Sequence, residues 1–265
     1  MRRSQHSFSR PWRPAIFTAA CLLLPTAAVP LPAGRSQTDL DRERFLRDAR
    51  IVRTETIPVG VTAPLRATLS LEGETHDAQI QRVNANMKRF RTPKNTYSNI
   101  LDSYRFNIAA YRLDRLLGLK MVPVSVERKY KGRKAAVTWW VDDVMMTDAQ
   151  RYEKKIPPPH PVSWNDQRHQ ARIFHQLIRN LDPNLGNFLI LKDWRLRLID
   201  FTRAFQRQPE LLEPRLVQRV DRRVYDGLRA LTLERLEREA VPALTRHEAK
   251  AVMARRDAIL ELLAA

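Results

Sequence analysis

The 265-residue chain has one cysteine, Cys21, and few acids beside its bases: 29 Asp and Glu against 47 Lys and Arg, a formal net charge of +18. A lone cysteine excludes an intramolecular disulfide and a thiolate zinc site. Only residues 15–29 form a long apolar stretch, and nothing later approaches the roughly 20 apolar residues that a bilayer span needs. No serine sits in a nucleophile-elbow sequence. His169 and His175, six positions apart, do not share a helix face, which argues against a zinc pair. What is there is an ordinary globular composition, 43% hydrophobic, enough to bury one core or two lobes around a cleft.

Arg2, Arg3, Arg10 and Arg13 precede the apolar stretch, and Pro30, Pro32 and Gly34 follow it. Positive, then apolar, then small is the order of a secretory signal, and Thr26-Ala27-Ala28 offers a cleavage site. The expectation is an exported, periplasmic or extracellular protein with no membrane span after cleavage; an uncleaved anchor is the alternative. Residues 1–35 hold five arginines and no acid, so the remainder keeps +13. That field favours phosphate-rich partners such as nucleotides. Over residues 215–238, however, the bases are interleaved with Asp221, Asp226, Glu234 and Glu237 at helical spacing. This is the pattern of a solvated helix face and argues against a nucleic-acid groove.

After a linker at 35–38, residues 39–49 read as a charged helix. Residues 54–83 alternate apolar and polar between breaks at Pro58, Gly60, Pro64 and Gly73, which predicts two or three antiparallel strands. Residues 99–117 carry Ile100, Leu101, Tyr104, Ile108, Tyr111, Leu113 and Leu116 at helical spacing and stop at Gly118. Strands are expected over 122–128 and 135–141, a Pro-rich loop over 156–162 and a helix over 164–180. A short hairpin at 188–191 and 196–199 follows, and the rest is helical. The predicted fold class is α+β: a signal and linker at 1–35, a small β-rich lobe at 36–145 and a mainly helical lobe at 146–265.

The chemistry-bearing segment follows the helix at 164–180. Leu181-Asp182-Pro183-Asn184-Leu185-Gly186-Asn187 leads into the hairpin, which ends at Leu198-Ile199-Asp200-Phe201-Thr202. Phosphoryl transfer needs a carboxylate to orient the acceptor hydroxyl and oxygen ligands that hold Mg²⁺ against nucleotide phosphates. Asp182 precedes Asn187 by five positions, and Asn187 precedes Asp200 by thirteen. An Asp, an Asn and a second Asp, returned by a hairpin to one place, could supply those groups.

The segment resembles the atypical kinases, among them the phosphatidylinositol 3- and 4-kinases, HipA-type kinases, spore-coat CotH kinases and the secreted Golgi casein kinase. Residues 107–118 followed by Val122-Pro123 resemble the N-lobe helix of the secreted group, and Arg255-Arg256-Asp257-Ala258-Ile259 its closing helix. The resemblance implies a two-lobed protein-kinase-like fold with Asp182 as catalytic base or hydroxyl-orienting group and Asn187 and Asp200 as metal ligands. Gly60 and Thr62 would lie in the phosphate-covering turn, which lacks the multiple glycines of protein kinases. Implied cofactors are Mg²⁺ or Mn²⁺ with ATP or another nucleotide. The acceptor is an unassigned protein, lipid or small molecule.

Two positions break the pattern. Gln81 stands where these kinases carry a strand lysine and Asn107 where they carry its acidic partner, so no full positive charge would meet the phosphates from that pair. Arg82 should face the opposite side of its strand from Gln81. A phosphotransferase and a noncatalytic exported pseudokinase that keeps the fold as a binding scaffold both remain open.

Overall fold

Thr38 opens the first helix through a reciprocal cap: its Oγ1 accepts from Asp41 N at 3.2 Å, and Asp41 Oδ2 accepts from Thr38 N at 2.9 Å. The helix, α1 (Asp39–Asp48), buries Phe45 and Leu46. In the computed structural model the described residues are 37–58, 64–93, 95–240 and 242–264. The signal-like segment, Cys21, Gly60 and Thr62 lie outside them.

Three strands follow: β1 (Arg50–Thr56), β2 (Leu65–Leu71) and β3 (Glu74–Gln81). With β6 (Ser125–Tyr130) and β7 (Arg133–Trp139) they form a five-stranded antiparallel sheet in the order β1-β2-β3-β7-β6. The β2–β3 turn uses Glu72 at φ +51° and Gly73 at φ +84°, as the Glu-Gly-Glu punctuation predicts. Along β2 and β3 the inward residues Ala67, Leu69, Ala78 and Ile80 are fully or almost fully buried. They join the hydrophobic core that also holds Phe45 of α1 and Tyr111.

The helix expected over 99–117 begins later. Residues 96–103 are instead strand β5 (Thr96–Ser103), paired with β4 (Asn84–Arg91) in a separate two-stranded hairpin. The helix α2 is Arg105–Leu116. Ile100 and Leu101 fit the helical spacing by coincidence. Most of β4 is exposed, so its sequence carries no strong alternation to announce it. The break comes at Ser103 and Tyr104, whose N–H groups donate to Thr202 O and Val83 O at 2.7 Å each. At its far end α2 stops at Gly118, φ +69°. Buried Asp114 accepts from Met121 N and Val122 N at 2.9 and 3.1 Å, and so aims the chain into β6.

The chain then crosses to the helical part through β8 (Val144–Thr147) and α3 (Asp148–Glu153) and enters α4 (Pro161–Leu177), with proline in its first turn. The expected hairpin is present as β9 (Phe188–Leu191) and β10 (Leu196–Leu198), extended by β8 into a three-stranded sheet. Helices α5 (Arg222–Ala230), α6 (Leu233–Ala240) and α7 (Arg246–Ala264) complete the fold.

On α7, Arg255 is wholly buried. Its Nε donates to Leu177 O at 2.7 Å, and its Nη1 to Gln206 O and Gln208 O at 3.1 and 2.5 Å. One guanidinium thus closes the last turn of α4 and the segment beyond residue 205 against the final helix. Burial, with a smaller push from Arg179, lowers its pKa to about 9, so it remains charged at neutral pH. Arg255→Ala leaves those carbonyls without donors and a cavity behind them; urea unfolding should read a loss of about 3 kcal/mol or more.

Candidate active site

Where α4 ends, the chain is pinned by its own side chains. Asn180 Nδ2 donates to His175 Nδ1 at 3.0 Å, and Asn180 Oδ1 accepts from Asp182 N at 3.2 Å. Burial holds the His175 pKa down at about 4, so the ring is neutral and packs as core beside Phe201, Phe188 and Phe174. Beyond it, Asn184 Nδ2 donates to Asp182 Oδ1 at 3.2 Å while Asn184 Oδ1 accepts from Gly186 N at 3.0 Å. A single 3-10 turn, Leu185–Asn187, then delivers the chain to β9. Ile199 N donates to Asn187 O at 3.1 Å, which ties this loop to the strand end carrying Asp200.

Asp200 has a left-handed backbone, φ +59°, which aspartate tolerates better than most residues. Thr202 Oγ1 donates to its Oδ1 at 3.2 Å. Asp200 is hemmed by protein atoms and still reaches solvent, as a group on the floor of an open cleft does. Burial raises its pKa, helped by the charge of Asp182, against the opposing hydrogen bonds of Thr202 and the charge of Arg203. The Asn187 amide makes no hydrogen bond among the described residues, and its buried Nδ2 lacks a partner.

Gln81 and Asn107 are both buried, and both are used for backbone. Gln81 Oε1 accepts from Arg82 N at 2.9 Å and Val83 N at 3.3 Å at the end of β3. Asn107 Oδ1 accepts from Phe201 N at 2.8 Å, so the helix α2 holds the residue next to Asp200. Arg82 lies over the Tyr130 ring, 5.5 Å from its centroid.

An interlobe cavity of about 370 Å³ is lined from the sheet side by Gln79, Gln81 and Thr138, and from below by Asn187, Ile199 and Asp200. Trp140 closes it at the crossover between lobes, while neighbouring Trp139 is in the core. Asp182 faces a different cavity, of about 430 Å³, shared with Asn184, Tyr97 and Arg172. The 182–187 loop therefore borders both cavities, with the Asn187 amide and Asp200 lining one and Asp182 lining the other. A larger cavity of about 770 Å³ opens between α1, the end of α2 and the β9–β10 hairpin. There Asp39, Asp142, Asp143 and Asp193 pair with Arg115, His76, Lys192 and Arg195 respectively.

Among the described residues no group of three or more His, Cys, Asp or Glu converges on one point. Asn187 and Asp200 nonetheless fit a hard cation whose shell is completed by phosphate oxygens and water, as Mg²⁺ prefers. The unengaged Asn187 amide and the Asp200 carboxylate, desolvated yet reachable, are what such an ion would use.

Sequence reasoning missed Arg203 and Asp102. Arg203 Nε donates to Asp102 Oδ2 at 3.0 Å and its Nη1 to Asp182 Oδ2 at 2.8 Å, with the guanidinium 4.5 Å from the centre of Phe90. Asp102 and Asp182 are far apart in sequence, and only the misread β4–β5 hairpin brings the first to the site.

No family model matches the sequence, and no curated protein sequence does. Solved structures do match in fold. The Golgi casein kinase with Mn/ADP bound shares 13% identity at a TM-score of 0.62, over 87% of this chain and 76% of that one. The hydra Fam20 structure with sugar shares 17% at 0.61, over 85% and 90%. The Helicobacter pylori proinflammatory kinase CtkA shares 10% at 0.51, over 82% and 94%. The fold is an atypical kinase fold. As in the expectation from sequence, a β-rich part is followed by a helical part, with the cleft between them.

Because the Asp200 pKa is raised on folding, its ionisation costs stability as pH rises through the folded value, and the cost is absent below the ordinary carboxylate range. Asp200→Asn should therefore raise the thermal midpoint of the ligand-free protein at neutral pH, and the two proteins should converge in acid. Calorimetry across that pH range checks this.

Proposed function

We propose that the chain is a phosphotransferase that holds a nucleotide with Mg²⁺ or Mn²⁺ in the interlobe cavity and delivers its terminal phosphoryl group to a hydroxyl placed by Asp182. The observation that carries this reading is that one loop reaches both cavities: Asn187 lines the interlobe cavity together with Asp200, and Asp182 lines the adjoining one. The cation, when bound, would neutralise charge on the phosphates. Asn187 and Asp200 would hold it. Asp182 Oδ2 is held by Arg203 and its Oδ1 by Asn184, so the carboxylate keeps one orientation toward an incoming hydroxyl. In this reading Gln81, which lines the interlobe cavity, would meet the nucleotide, whereas Asn107 acts through Phe201 N; Gly60 and Thr62 lie outside the described residues. Gln81 offers the phosphates no ammonium, so metal supplies most of the countercharge and the metal dependence should be steep.

A second reading is favoured by that same neutral Gln81 and Asn107 pair: a noncatalytic scaffold that keeps the fold. Thermal unfolding separates the two. With nucleotide and metal near a hundred times the dissociation constant, binding adds about 2.7 kcal/mol, a rise of roughly 5–10 °C for a chain of this size. The shift should need Mg²⁺ or Mn²⁺ and vanish in Asp200→Ala. A folded protein that shifts with no nucleotide and metal would sink the phosphotransferase reading.

Residues 1–35 are read as an export signal, so the reaction belongs outside the cytoplasm. N-terminal sequencing of the exported protein should find cleavage near Ala28; an intact Met1 would favour an anchor.

A further inference from the structure

The cavity on the Asp182 side has a charge balance that the phosphotransferase reading does not use. Among its described lining residues the charged ones are Arg168 and Arg172 of α4, Asp182 and Glu213. Arg168 is paired with buried Asp148, Asp182 with Arg203, and Glu213 with Arg215 at 3.2 Å. Arg172 is half-buried and makes no hydrogen bond or ion pair with any described residue. Its charge is felt nearby: beside burial, it helps to depress the pKa of both Arg168 and His169. The other walls are largely apolar, with Leu181, Leu185, Phe188 and Leu216 among them. A guanidinium at the wall of such a pocket, with no partner among the described residues, gains a charge-assisted contact when an anion pairs with it. The volume, about 430 Å³, is that of a small-molecule site.

We propose that this cavity is the acceptor site and that the acceptor is a small anionic alcohol, its carboxylate or phosphate paired with Arg172 and its hydroxyl presented to Asp182. The proposal rests on the phosphotransferase reading for the reaction but not for the binding. In the reaction the acceptor oxygen forms a bond to the terminal phosphorus of the nucleoside triphosphate, and the bond to the bridging oxygen breaks. The nucleoside diphosphate leaves, and the hydroxyl proton passes to Asp182 and on to water.

The test uses the full chain with three probes: glycerol 3-phosphate, glycerate and neutral glycerol. Calorimetric titration without nucleotide should show binding of at least one anionic probe, and which of the two distinguishes phosphate from carboxylate. Glycerol should not bind in the same range. Arg172→Ala should weaken the anionic probe about tenfold or more, the effect of losing a charge-assisted contact, and Arg172→Lys should restore part of it. Arg172 supports no other described group, so the variants should fold; circular dichroism and an unchanged shift with nucleotide and metal check that. Equal binding of the probe by Arg172→Ala, equal binding of glycerol, or no binding of either anion at millimolar concentration overturns the proposal. Anion binding that depends on Arg172 in a protein that ignores nucleotide and metal would instead overturn the phosphotransferase reading and leave the anion site standing.

Discussion

Arg203 is the residue on which the candidate site depends. It is nearly buried, and it spends one charge on two carboxylates, Asp102 from the β4–β5 hairpin and Asp182 from the loop after α4. A buried acid such as Asp102 is costly unless the geometry satisfies it. Here the guanidinium fork reaches both carboxylates, and its flat face rests on Phe90. Without it, Asp102 would be an uncompensated buried charge, and Asp182 would have no fixed orientation. One side chain thus ties together the hairpin, the loop and the segment after Asp200.

Around this centre the amides that replace the expected ion pair take on a mechanical task. A lysine and an acid at positions 81 and 107 would have faced each other and the phosphates. Gln81 instead terminates β3 by accepting two backbone N–H groups, and Asn107 holds Phe201 N. Neutral groups do this at no desolvation cost for a charge. The two amides thus form a junction between the end of β3, α2 and the Asp200 turn.

Much of this was legible in the chain. The strand–turn–strand between Asn187 and Asp200 and the Gly118 stop rest on short-range rules of turn and strand chemistry, and each has its counterpart in the structure. The β4–β5 hairpin was not legible, because most of its first strand is exposed and Ile100 and Leu101 mimic a helical spacing. Arg203 was missed for a different reason. Its importance lies in partners 101 and 21 residues away, and no local pattern marks a long-range ion pair.

The segment after Asp200 is stitched down at nearly every residue: Phe201 to Asn107, Thr202 to Ser103, Arg203 to two acids, and Gln206 to both backbone groups of Leu101. Peeling this segment away would sacrifice all of these bonds together, at about 1 kcal/mol for each neutral one and more for the charged ones. The turn that carries Asp200 is therefore anchored on the side of its C-terminal neighbours, and the fold itself holds that carboxylate at the interlobe cavity.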